Sequence, residues 1–338
     1  MDDVRRLIHL PEELLLIIAM YLSFQDCILL HEVNKLLNSI FPQIIIMKNK
    51  ELEMNFINKD NLHIVQFYHL IKFGISKQNT LNFCCNEINS TSIKVLSKAI
   101  ETNTTIELLS FYRTIMNDEG AIVIAKALKI NNTLIELFIS HSLIGNNGAI
   151  YIAEALKINN TLIELIISHS LIGNKGAIEI AKALETNPTL TKLMFDNNKI
   201  GDKGIVAIAK TLEKNKKLRE LNLSCNLEIY DKEAKLIANA LKINTTLTKL
   251  DLSNNNIGDE GIKEIATALA INTALKILNL IYNRIYNEGA ISLEEAIKTN
   301  TTLEKLYLHK NNISLERILA IEIASDRTTF NIPGKQFF

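Results

Sequence analysis

The sequence predicts an α/β solenoid, a one-dimensional stack of strand–helix units around one continuous core. A motif of the form L-x-x-L-x-L-x-x-N-x-I recurs, with first positions at Gln78, Ile106, Leu134, Leu162, Leu190, Leu218, Leu247, Leu275 and Leu303. Successive starts are 28 residues apart, except for one step of 29 after Leu218, where LNLSCNLEIYDKEA carries an extra residue before Ile229. Within each unit the apolar period changes from two to about 3.6, the mark of a strand followed by a helix. Self-similarity at such a period means units that bury their apolar faces only against one another. The nine units span residues 78–325, the first and last imperfectly.

The strand half comes first. In LTKLDLSNNNIG, Leu250 and Leu252 are expected to point into the core, and Lys249, Asp251 and Ser253 out of it. The ninth motif position, where the strand turns, is Asn86, Asn198, Asn226, Asn255, Asn283 or Asn311 in six units. A buried amide there both donates to and accepts from the backbone of neighbouring turns. Thr114, Ser142 and Ser170 replace it in units two to four, and a hydroxyl does part of that work. The extra residue before Ile229 is expected to bulge in the turn and leave the strand register intact.

The helix half follows. DEGIKEIATALAINT places Ile262, Ile265, Ala266 and Leu269 at helical spacing. Asp259 and Glu260 open it, where the helix dipole favours acids. Gly261 recurs as Gly120, Gly148, Gly176, Gly204 and Gly289, which implies close approach of the turn. Small residues such as Ala153, Ala181 and Ala266 let each helix pack near its strand.

These motifs resemble the ribonuclease-inhibitor-like leucine-rich repeats. The resemblance implies a horseshoe with a parallel sheet on the concave face and helices outside. Residues 326–338, with Pro333 and Gly334, read as a tail, and 49–77 as a linker or degenerate capping repeat.

Residues 1–48 read differently. HLPEELLLIIAMYLSFQDCILLHEVNKLLNSIF opens with Pro11, Glu12 and Glu13, which suit a helix first turn. Leu14, Leu15, Leu16, Ile17 and Ile18 then surround the helix, more apolar surface than one packing face needs. So small a unit rarely folds alone, and the surplus implies a partner. The segment resembles an F-box in Leu10-Pro11, the Leu/Ile helix, Leu22-Ser23, Asp26, Leu29-Leu30 and Val33, with Leu37 where that family often has Trp. The resemblance implies docking to a Skp-type adaptor of a cullin–RING ubiquitin ligase through Leu10, Pro11, Leu14, Leu15, Ile18 and Leu22. The other reading is an apolar cap over the first repeat.

Composition narrows the function. Lys plus Arg equals Asp plus Glu at 37 each, so no net field draws nucleic acid or an anionic membrane. The run Leu14–Leu22 is too short to span a bilayer and makes a poor signal peptide. Four cysteines, Cys27, Cys84, Cys85 and Cys225, match no zinc spacing and are too few for a disulfide scaffold. The expectation is a cytoplasmic protein, with the nucleus also open to it. The N-x-T sites at Asn103, Asn131, Asn159, Asn244 and Asn300 belong to the turn before each strand. No phosphate loop, nucleophile elbow or zincin helix occurs. His141 and His169 hold equivalent positions in near-identical units, about 4.8 Å apart at strand spacing. Duplication explains them better than a shared metal does, so neither metal nor cofactor is expected.

What remains is binding. The row Ser110, Phe138, Ile166, Met194, Asn222 and Asp251, continuing to Tyr307, is expected on the concave face, and so is a second row that includes Arg113, His141 and His169. Outward strand positions have no structural need for Phe138, Ile166 and Met194 side by side. Flanked by Tyr112, Arg113, His141 and His169, they form the candidate surface for an unknown protein substrate. The leading expectation is an F-box/leucine-rich-repeat substrate receptor of an SCF-type ligase, not an enzyme. The alternative is a repeat scaffold or inhibitor with no ubiquitin role. A Ran-type GTPase activator, built on the same repeats, fits less well because an apolar helical segment comes first and no acidic tail follows.

Overall fold

In the computed structural model, residues 79–83, 90–226 and 228–324 are described. The expectations for residues 1–48, including Leu10, Pro11, Leu14, Leu15, Ile18 and Leu22, lie outside them. So do those for residues 49–77, Asn86 and the tail.

Strands and helices alternate: β1 (Thr80–Asn82), α1 (Ser90–Thr102), β2 (Leu108–Ser110), α2 (Asn117–Leu128), β3 (Glu136–Phe138), α3 (Asn146–Leu156), β4 (Glu164–Ile166), α4 (Asn174–Leu184), β5 (Lys192–Met194), α5 (Asp202–Lys214), β6 (Glu220–Asn222), α6 (Asp231–Leu241), β7 (Lys249–Asp251), α7 (Asp259–Leu269), β8 (Ile277–Asn279), α8 (Asn287–Thr299), β9 (Lys305–Tyr307) and α9 (Leu315–Ala324). The nine strands form one parallel sheet in chain order. Crossovers between parallel strands are right-handed, so an unchanging strand order puts every helix on the same side of the sheet. Strands stack about 4.8 Å apart and helices about 10 Å apart, so the stack curves with the sheet inside. This is the expected leucine-rich-repeat solenoid.

The pairing steps by one repeat throughout, as in Leu137 with Leu165 and Leu165 with Leu193. Across the longer unit Leu221 pairs with Leu250, so the strand register is intact. The central strand leucines and the residues two further on, from Leu109 and Phe111 to Leu306 and Leu308, are buried. Each extends a ladder that the next unit continues, so the core has no boundary inside the stack.

Three polar ladders fasten the turns. At the ninth motif position, the Asn198 amide donates to Ile167 O at 2.8 Å and accepts from the N–H groups of Ser170 at 3.0 Å and Ile172 at 3.1 Å. Asn311 repeats this between Leu280 O and the N–H of Asn283. Where Asn is replaced, Ser142 Oγ donates to Phe111 O at 2.9 Å, but it does not accept from the turn before. The Ser142 carbonyl does so instead, taking the N–H groups of Met116 at 3.2 Å and Asn117 at 3.0 Å. In the asparagine units the following N–H points back, as Lys199 N does to Ile172 O at 2.8 Å. The peptide after Ser142 is therefore flipped, which carries Leu143 to φ 54°; Leu171, which follows Ser170 in the next unit, has φ 58°.

The second ladder lies at the other end of the strands. Asn159 is 4% exposed; its amide donates to Leu128 O at 2.9 Å and Asn131 O at 3.0 Å and accepts from Leu162 N at 2.8 Å. Asn103, Asn131, Asn244 and Asn300 are buried in the same way, so these N-x-T asparagines are structural.

The third ladder revises the reading of the helix starts. Asp259 Oδ1 accepts from Tyr286 N at 2.7 Å, in the following unit. Asn146 likewise takes the N–H groups of Gly173 at 3.1 Å and Gly176 at 2.8 Å. The first residues of α3, α4, α6, α7 and α8 thus cap the next helix, satisfying otherwise orphaned donors across the stack, whereas Asn117 of α2 accepts from Glu119 and Gly120 of its own helix and leaves Gly148 N to Asp118. The recurring glycine makes room for that approach. A Cβ on Gly176 would lie 2.6 Å from Ile172 Cγ2 and 2.8 Å from Ala149 Cβ.

Candidate functional site

The candidate surface is the face of the sheet turned away from the helices, in units two to five. Phe138, Ile166 and Met194 end β3, β4 and β5 and stand in register. All three are half-buried, because neighbours only one strand spacing apart shade one another. Ser110, expected in this row as a solvent-facing residue, is 5% exposed between the longer Asn82 and Phe138. Ser253, also expected outward, is 6% exposed, and its hydroxyl donates to Asp251 Oδ1 at 2.7 Å. Neither serine faces solvent as expected, because a short side chain at these positions is covered by its neighbours.

Arg113, His141 and His169 do not lie on strands, as the second row assumed. Each occupies the turn beyond a strand with φ of 53°, 56° and 52°, and Asn197, Cys225, Asn254, Tyr282 and Lys310 repeat the conformation. Outside glycine and asparagine this left-handed backbone is disfavoured by about 1–2 kcal/mol. The ladder bonds on either side hold it: His141 N donates to Ser168 O at 3.0 Å.

The turn conformation projects these side chains together. The His141 and His169 rings stack at 3.8 Å, closer than the strand spacing, with 18° between planes. Tyr112 meets His141 edge-on at 5.4 Å, and the Arg113 guanidinium lies 5.3 Å from the Tyr112 ring centroid. Burial, then the neighbouring His169 and Arg113, hold the His141 imidazole below its ordinary pKa, against an opposing pull from Asp196. Burial also pushes the Cys225 thiol up, with Asp196 adding to it.

Asp196 continues the rim. Its Oδ1 accepts from Ser168 Oγ at 2.6 Å and from Asn222 Nδ2 at 3.1 Å. Asp251 accepts from Asn279 Nδ2 at 2.8 Å. Among the described residues neither carboxylate has an ion-pair partner, and Arg113 has none either. No group of three or more His, Cys, Asp or Glu among the described residues is placed to hold a metal ion. No helix among them is long and apolar enough to cross a membrane.

The sequence reading missed one row. Ile115, Leu143 and Leu171, two residues past the turn position, are 51%, 49% and 47% exposed. Their equivalents in later units are Lys199, Asn256, Arg284 and Asn312. The outward apolar side chains of units two to five thus occupy two separate rows, and most later positions in both are polar, with Tyr307 closing the first. The signal was present in HSLIGN and its copy, where Leu follows Ser in place of the motif Asn.

Comparison with known proteins agrees with this architecture. Residues 159–181, 186–209, 214–229, 244–266 and 272–293 match the family model described as Leucine Rich repeat. No curated protein matches the chain. Among solved structures it is similar to leiomodin-1 actin-binding site 2, with 21% identity over 54% of this chain and 88% of that one, at a TM-score of 0.38. It is also similar to the tropomodulin C-terminal domain of Caenorhabditis elegans, with 16% identity over 37% of this chain and 75% of that one, at a TM-score of 0.33. The described part of the chain is a stack of leucine-rich repeats.

Proposed function

We propose that this protein is a binding receptor that captures a protein partner on the open face of its sheet, in units two to five, and performs no catalysis itself. The observation that carries the reading is the clustering of outward apolar residues in those units, side by side in two rows. Phe138, Ile166 and Met194 are only half covered, and Ile115, Leu143 and Leu171 stand exposed beyond the turn. The same positions in later units are Asn222, Asp251, Asn279, Asn256 and Arg284, and Tyr307 closes the first row. Removing an apolar patch from water is what stabilises most protein association, and the polar groups around it fix orientation.

In the finer form of the proposal, residues 1–48 are an F-box that docks a Skp-type adaptor, and the chain presents its captured protein to an SCF-type, cullin–RING ubiquitin ligase in the cytoplasm. This part rests on the sequence of the segment: Leu10-Pro11, the Leu/Ile helix with Leu14, Leu15 and Ile18, and Leu22-Ser23. The alternative with the same site is a scaffold or inhibitor without a ubiquitin role.

Co-purification separates them. The full chain is expected to retain a Skp-type adaptor at micromolar concentration, and Leu10→Ala with Pro11→Ala to lose it, since truncating a buried anchor often costs about 2 kcal/mol. A wild-type chain that binds no adaptor leaves only the scaffold or inhibitor. Phe138→Ser with Ile166→Ser should abolish capture of the partner and spare the adaptor. An unchanged set of partners would place the binding surface elsewhere.

A further inference from the structure

The charges beside the apolar patch are not arranged evenly. Arg113 stands exposed at the unit-two end of the rim, with its guanidinium on Tyr112 and no carboxylate partner among the described residues. Beyond the His141–His169 stack the sign reverses at Asp196, whose carboxylate is held by Ser168 and Asn222 but has no cation among the described residues. Asp251 extends the negative side. On the opposite edge Glu164 is neutralised by Lys192 at 2.6 Å and Glu220 by Lys249 at 3.5 Å. Glu136, beside Glu164 in the register, has no such cation among the described residues. It therefore turns a partner's acidic group away from that edge and toward Arg113.

We infer that the occupant is a protein segment carrying an acidic residue, then an apolar run, then a basic residue. The acid pairs with Arg113, the apolar side chains cover Phe138, Ile166 and Met194, and the base meets Asp196. This rests on the protein-binding reading above and adds to it the chemistry and polarity of the partner. Both end groups are already fixed, Arg113 on an aromatic ring and Asp196 by two hydrogen bonds, so little ordering opposes binding. Units two and five are three strand spacings apart, about 14 Å. An extended segment, at about 3.3 Å per residue, sets its acid and base four or five residues apart.

The experiment is selection from a phage-displayed library of random dodecapeptides on the full-length chain. Peptides with an acid and a base on opposite sides of an apolar run are expected. On the Arg113→Glu, Asp196→Lys variant, a labelled wild-type-selected peptide should lose affinity by at least about tenfold, because like charges then face each other. Its charge-reversed counterpart should recover that loss. Asp196→Asn keeps an acceptor for Ser168 and Asn222, and it should erase only the preference for the basic residue. Selection of uncharged apolar peptides, equal binding to both charge forms, or no enrichment at all overturns the inference. If Phe138→Ser with Ile166→Ser abolishes peptide binding while the charge swap does not, only the polarity fails. If the serine variant binds the selected peptides unchanged, the site itself fails.

Discussion

Asn198→Ser tests how the turns are fastened. Asn198 is 6% exposed; it donates to Ile167 O at 2.8 Å and accepts from Ser170 N at 3.0 Å and Ile172 N at 3.1 Å. A serine retains a donor, as Ser170 Oγ does toward Ile139 O at 3.1 Å, but strands the two buried N–H groups. Each unsatisfied group costs about 1–3 kcal/mol. The Ser142 unit shows the way out: a flipped peptide whose carbonyl takes Met116 N, the counterpart of Ile172 N, while Thr114 N, the counterpart of Ser170 N, turns to Phe111 O at 3.3 Å, at the expense of a left-handed residue behind the serine. At unit five that residue is Lys199, for which the left-handed conformation costs about 1–2 kcal/mol. Asn198→Ser should therefore cost about 2 kcal/mol and Asn198→Ala, which cannot donate either, about 3–4 kcal/mol. Glycine adopts the left-handed region freely, so Lys199→Gly should recover about 1 kcal/mol in the serine background. Alone, with no strain to relieve, it should cost about 0.5–1 kcal/mol. Urea denaturation midpoints measure the four proteins, and hydrogen exchange at Ser170 and Ile172 reports the two donors directly. If Lys199→Gly is equally harmful in both backgrounds, the flipped-peptide account is wrong.

The remaining predictions follow from single contacts. Gly176→Ala would ordinarily strengthen a helix by about 1 kcal/mol, but here the new Cβ meets Ile172 and Ala149, so thermal denaturation should show a loss of about 1–3 kcal/mol. Leu143→Gly relieves a residue at φ 54° that is 49% exposed; it should raise stability by about 0.5–1 kcal/mol in the same assay while weakening partner capture. The fold holds His141 below its ordinary pKa, so the unfolded chain takes up this proton first. The stability this gives is complete above the ordinary histidine value of about 6.5 and is lost as pH falls toward the depressed one. Urea midpoints at about pH 7.5 and 5.5 should therefore differ less in His141→Gln than in the wild type.

The sequence by itself determined the repeat, the strand and helix halves, the inward leucines, and the close approach at Gly148 and Gly176. Those features repeat with a local period, and local sterics and burial are enough to read them. It also named Phe138, Ile166, Met194, His141 and His169 as neighbours, because a constant period places equivalent residues side by side. Only the tertiary structure decided what passes between turns. Asp259 opens its own helix with Glu260, as the sequence implied, and in addition caps the next one through Tyr286 N. His141 and Arg113 looked like strand residues and are left-handed turn residues. Ser110 and Ser253 were expected to face solvent and are buried. The Ser-Leu pairs ending at Leu143 and Leu171 stood in the sequence, but the left-handed backbone and the exposure of both leucines are seen only in the structure. In each case the deciding hydrogen bond or covering side chain comes from a residue about one repeat away, and its distance is set by how strands and helices stack rather than by the alternation within a unit.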